Sequence, residues 1–174
     1  MLDENKIHFH YQAFYSPSNM NIENYLQKLK SIQDSNTYLQ ILDPTLIVSE
    51  RHLQIAIYHT LKSFEQKRNI ARDKTTELLL RISGKNQISD AIRLYGVKPS
   101  TSIILIVAFS VHIRNNKEVI EEFLKLIQIS DEEEIDIKFP LLSIKELSQK
   151  YQCEENLKEI EKRVLENIAA LSVA

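Results

Sequence analysis

Ile103-Ile104-Leu105-Ile106-Val107-Ala108-Phe109 is the longest apolar run in the chain, and four of its residues are β-branched. A run of this length without polar alternation predicts a central strand covered on both faces. It is far too short to cross a bilayer. Upstream, Lys6 to Phe14 alternates, with Ile7, Phe9, Tyr11 and Ala13 on one side and His8, His10 and Gln12 on the other, which predicts a second strand. Tyr38 to Leu42 predicts a third, which meets Asp43-Pro44 and continues extended through Leu46 to Val48. Because proline has no N–H for the ladder, that strand should bend or lie at an edge.

Between and after these strands the apolar spacing becomes helical. Asn21 can cap a helix to about Ser31, and Ser49 a long one carrying Leu53, Ala56, Ile57, Leu61 and Phe64. After a polar elbow at 67–71, Asp73 can cap a helix that Ser83-Gly84 ends. Asn86 is then the expected cap of a helix with Ile88, Ala91, Ile92 and Tyr95 inward, stopped by Gly96 and Pro99. Downstream, Asn115 or Asn116 starts another, and the acidic run 131–136 reads as a loop or short edge strand. Ser143 with Glu146 makes a capping box for a short helix through Tyr151. A last helix over 154–171 places Leu157, Ile160, Val164, Ile168 and Leu171 on one stripe. The expectation is one α/β domain spanning 1–174, with a small mixed or antiparallel sheet of about four strands surrounded by several helices.

A chain of 174 residues, 43% apolar and 26% charged, can bury one core. The acid-bearing first residues and the lack of a long apolar stretch suggest a soluble, unexported protein with no membrane association. The single cysteine, Cys153, fits a reducing compartment. The net charge of −2 hides a division: residues 51–98 carry ten Lys/Arg against four acids, a net of +6, so the rest sums to −8. A basic middle between acidic ends could place a polyanion on one surface and a basic protein on another, although solvated helix faces would give the same pattern.

The two glycines, Gly84 and Gly96, are twelve residues apart. A phosphate-binding loop, a dinucleotide fingerprint and a nucleophile elbow each need closely spaced glycines, so none can be built here. His8 and His10 share a strand face but have no evident third ligand and read as surface histidines. His52 and His59 are two helical turns apart, too far to chelate one ion. His112 follows the core strand as a structural group, and Cys153 as a chance thiol. Tyr58 and Tyr95 stand on or beside apolar stripes and read as core residues rather than base-stacking platforms. No catalytic residue, metal ligand or cofactor is expected.

The segment 72–97 nevertheless has a distinctive order. Arg72, Thr76 and Glu77, then Ile88, Ser89, Ala91, Tyr95, Gly96 and Val97, resemble the central region of the TPRKB family at matching spacing. Asp43-Pro44 before the long helix and the strand from Ile103 to Val107 fit as well, whereas residues 110–174 carry over architecture only. The resemblance implies a non-catalytic subunit of the KEOPS/EKC complex, cytoplasmic and nuclear. Such a subunit binds a PRPK-type small kinase directly, meets the other KEOPS subunits indirectly, and helps position the 3′ CCA end of tRNA for threonylcarbamoyl-adenosine modification. The alternative is an adaptor of the kinase that binds protein alone.

Two surfaces are expected on that basis. For tRNA, the turn Gly84-Lys85-Asn86-Gln87 opens a helix inside the basic middle, so Arg72, Lys74, Arg81, Lys85, Asn86 and Gln87 are the candidates. For the kinase, the candidates are Leu157, Ile160, Val164, Ile168 and Leu171, with Ser172, Val173 and Ala174 beyond them; plain core packing would use the same stripe.

Overall fold

The computed structural model describes residues 7–17, 20–33, 36–110, 115–129 and 134–172. In chain order its elements are β1 (His8–Tyr15), α1 (Ile22–Ile32), β2 (Thr37–Leu42), a 3-10 turn (Pro44–Leu46), α2 (Glu50–Glu65), α3 (Lys74–Ser83), α4 (Ile88–Tyr95), β3 (Ile103–Ser110), α5 (Asn116–Ile127), β4 (Glu134–Ile135), α6 (Ile144–Tyr151) and α7 (Leu157–Ala170). They form two compact units, one drawn from 5–43 and 96–137, the other chiefly from 44–95 and 138–174.

The first unit is the sheet with α1 and α5. Its four antiparallel strands run β2-β3-β1-β4, so the apolar run read from the sequence is an interior strand, buried from Ile104 to Ser110. Phe14, Leu39, Ile41, Ile104, Ile106 and Ala108 on one sheet face meet Tyr25 and Leu29 of α1 and Val119, Ile120, Phe123 and Leu124 of α5. Phe14 shares its side of β1 with His10 and Gln12. The polar-looking side of that strand is therefore the one under α5, and His10 is half-buried rather than a plain surface histidine. His10 Nε2, Gln12 Oε1 and, at the start of α5, Asn116 Oδ1 are buried there with no hydrogen-bond partner among the described residues.

β2 is an edge strand, as expected, but Pro44 lies beyond its end and so is not what leaves its ladder open. Pro44–Leu46 close into a 3-10 turn, and no strand continues through Val48. The edge is blunted by side chains: Gln33 Nε2 donates to Leu39 O at 2.8 Å, and Gln40 Oε1 accepts from Ile41 N at 3.2 Å.

The second unit is helical. Ser49 caps α2 by accepting from His52 N at 3.1 Å, and its hydroxyl also bonds Glu161 of α7. Asp73 caps α3, accepting from Thr76 N at 2.8 Å, and Gly84 ends it in the left-handed conformation at φ 63°. Gly84 is needed twice over, since an added Cβ would also lie 2.8 Å from Asn167 Cβ on α7. Asn86 does not cap α4. That helix starts at Ile88, and the carbonyl receiving its first bond, from Ala91 N, belongs to Gln87. The capping box of Ser143 and Glu146 is present on α6, and α7 begins at Leu157 behind its cap Asn156, three residues later than expected. The first residue of the expected N-terminal strand, His112, residues 131–133 of the acidic run, and Val173 and Ala174 lie outside the described residues.

Candidate nucleic-acid interface

In the helical unit a carboxylate organises the surroundings of α3. Glu77 is fully buried and accepts from Ile70 N at 2.8 Å and Ala71 N at 2.7 Å, which pins the polar elbow between α2 and α3. Its other oxygen receives Arg81 Nε at 2.8 Å and Nη2 at 2.6 Å, with Ser63 Oγ at 3.3 Å. Arg81 is equally buried, and its Nη1 reaches Ser172 Oγ beyond α7 at 3.2 Å. This guanidinium is an internal counterion, not an exposed phosphate contact, because burying either charge alone would be prohibitive. The same Ser172 hydroxyl lies 2.7 Å from His59 Nδ1; burial, Arg81 and Lys62 push the pKa of His59 down to about 4.

The other candidate residues fall in different places. Arg72 is exposed at the elbow, and Lys74 lies with its ammonium 4.7 Å from the Phe64 ring centroid. Lys85, Asn86 and Gln87 are exposed in the turn after Gly84. Of the six, Lys85 alone lines the large cleft of this unit, a hollow of about 570 Å³.

That cleft gathers four cations from four segments: Lys85 from the α3–α4 turn, Arg93 from α4, Lys150 from α6 and Arg163 from α7. Among the described residues no carboxylate lines it. Arg93 is paired at the surface with Asp90 at 2.9 Å, and Arg163 stands 3.9 Å from Glu166; exposed pairs of this kind hold their charges weakly. Leu46, Tyr95 and Tyr151 line the same cleft. Tyr151 Oη donates to Leu46 O at 2.9 Å, while Tyr95 Oη is 3.1 Å from Leu46 O and 3.1 Å from Tyr151 Oη. Burial holds the Tyr151 phenol above its ordinary pKa, against the opposing hydrogen bond from Tyr95. Tyr95 is a core residue, as its spacing predicts, and it also lines the cleft.

A sequence reading finds Lys85 and the basic middle, and Arg93 sits inside that middle. Lys150 and Arg163 carry no such signal, since only the packing of α6 on α7 and of α7 on α3 brings them to the same hollow. The apolar stripe of α7 is likewise divided by packing. Ile160, Val164 and Ile168 are buried within the unit, which leaves Leu157, 37% exposed, and half-buried Leu171 at its ends. Core packing thus accounts for the middle of the stripe proposed for the kinase.

Among the described residues no group of three His, Cys, Asp or Glu is placed to hold a metal ion, and no helix is long and apolar enough to cross a membrane. Comparison with known proteins points the same way as segment 72–97. The sequence model of a family described as kinase binding protein CGI-121 matches residues 19–172. The EKC/KEOPS complex subunit CGI121 of Coccidioides immitis (strain RS) is 29% identical over 69 residues, 40% of this chain and 33% of that protein. The similarity to that relative therefore spans about a third of its length. With most of the chain matched and the residues at 72–97 in order, the family read from the sequence is borne out: the chain belongs to the family of the kinase binding protein CGI-121.

Proposed function

We propose that this chain is a kinase-binding, non-catalytic subunit of a KEOPS/EKC assembly, and that its cation-lined cleft holds the single-stranded 3′ CCA end of tRNA during threonylcarbamoyl-adenosine modification. The family description and the relative's printed name support the kinase and the assembly. The observation that carries the RNA reading is the cleft itself, lined by Lys85, Arg93, Lys150 and Arg163 together with Tyr95 and Tyr151 and, among the described residues, by no carboxylate. Cations along a groove track a phosphate backbone, and polar groups below can meet bases that a single strand leaves unstacked. The contribution to catalysis is positioning of the RNA for another subunit. Kinase binding falls to the ends of the α7 stripe, Leu157 and Leu171, whose side chains remain accessible.

Filter binding with tRNA carrying or lacking its CCA end tests the RNA reading. Intact tRNA should bind at least about tenfold more tightly, the equivalent of roughly 1.4 kcal/mol. Equal binding of both, or none, together with retained co-purification of the kinase, would favour the protein-only adaptor.

A further inference from the structure

The sheet unit carries a polar site of its own. His8 and His10 stand two residues apart on β1, so their side chains leave the same side of the strand about 7 Å from each other. That side faces α5, and His8, His10, Asn115, Asn116 and Lys117 line one hollow of about 330 Å³ there. Two atoms of these residues are buried with no hydrogen-bond partner among the described residues: Nε2 of His10 and Oδ1 of Asn116, a side chain only 5% exposed. Asn115 is already used, since its Oδ1 caps α5 by accepting from Glu118 N at 3.4 Å. An amide oxygen offers lone pairs alone, and an imidazole with its proton on Nδ1 offers a lone pair at Nε2. Bare buried acceptors are costly, and native structures answer them with water or an ion.

The geometry points to a binding site for a borderline divalent transition-metal ion, Zn²⁺ or Ni²⁺, held by the imidazoles of His8 and His10 and the amide oxygen of Asn116, with water completing the shell. Neighbouring same-side histidines of a strand can close on one ion at the roughly 2.0–2.1 Å of a metal–imidazole bond. Three protein donors with one open position make a full set for such an ion, and imidazole is a ligand it favours. Hard ions such as Mg²⁺ and Ca²⁺ are poorly served, because they call for a shell of oxygens. The charges acting on His10 permit a cation: Lys117 opposes one, whereas Glu134 on β4 and Glu121 on α5 favour it, and Lys117 is drawn to Glu121 at 3.8 Å. The histidine pair is visible in the sequence, but its third donor is supplied only when the first turn of α5 folds against β1. The bound ion therefore clamps the start of that helix to the strand.

Isothermal titration of the metal-free full chain with Zn²⁺, and separately with Ni²⁺, tests the site. One ion per chain should bind, Mg²⁺ and Ca²⁺ should not, and the imidazole NMR signals of His8 and His10 should shift on binding while those of His52 and His59 stay. His10→Ala should weaken binding at least about tenfold, the loss expected even for a residue that only supports a metal ligand. Asn116→Asp should tighten it, since a carboxylate brings negative charge to the same position, and His59→Gln should leave it unchanged. Should His10→Ala not fold, the wild-type histidine signals and the Asn116→Asp titration decide. Absence of saturable binding, an affinity indifferent to Asn116→Asp, or binding that leaves the His8 and His10 signals in place, as attachment to Cys153 or another histidine would, overturns the site.

Discussion

His52 spends both ring nitrogens inside the helical unit. Its Nε2 lies 2.9 Å from Ile82 O and its Nδ1 accepts from Val48 N at 3.4 Å, which fixes the neutral Nε2–H tautomer. Burial lowers its pKa to about 4, with the Ile82 carbonyl pulling the other way. Between that value and the unfolded value of about 6.5 the unfolded chain binds the extra proton, so stability rises with pH across this window. On acidification stability should therefore fall from about pH 6.5 down to about pH 4, by an amount on the order of 3 kcal/mol from this residue. Urea melts of wild type and His52→Gln check it: the variant should be less stable at neutral pH and show a shallower pH dependence. An equally steep dependence in the variant would assign the acid sensitivity elsewhere. His59, half-exposed and pushed the same way, adds to the slope in both proteins.

At the scale of elements, Glu77 and Arg81 join α2, the elbow, α3 and the segment after α7 through one ion pair. Truncating either to Ala should cost about 3–5 kcal/mol, since the partner is left charged and buried. The double variant should cost well under the sum, and a double-mutant cycle in urea measures the coupling. Additive losses would contradict a direct pair. This junction also shows what sequence can and cannot disclose. The i, i+4 spacing of Glu77 and Arg81 and the caps at Asn21, Ser49, Asp73, Asn115 and Ser143 are local, and local rules recover them. Whether Arg81 faces water or Glu77 is decided by α2 and the residues after α7 closing over it, which charge patterning along one helix does not reveal. The same holds for the start of α4, displaced from Asn86 by the turn that follows Gly84, and for the α7 stripe, whose centre is claimed by its own unit. The interior position of β3 was legible because an unbroken β-branched run has few other uses. The candidate cleft was legible only at Lys85 and in the basic middle; Tyr151, Lys150 and Arg163 reach it from helices far along the chain.

At the scale of the whole molecule, family membership and the cleft address different halves of one account. The family match over 19–172 places the chain in the family described as kinase binding protein CGI-121, and the proposed RNA site is the cation-lined cleft of the helical unit. A chain with net charge −2 nevertheless lines this cleft with four cations. That arrangement makes the salt dependence of tRNA binding the most direct test. Lys85→Glu with Lys150→Glu removes two cations of the cleft without touching Glu77, Arg81, Tyr95 or Tyr151. Each phosphate contact to a single strand contributes about 0.7 to the log–log salt slope, so the double variant should bind tRNA more weakly with a slope shallower by about 1.4. Its co-purification with the kinase should be unchanged. Wild-type affinity and slope in the double variant would contradict the account and remove the cleft as the RNA site.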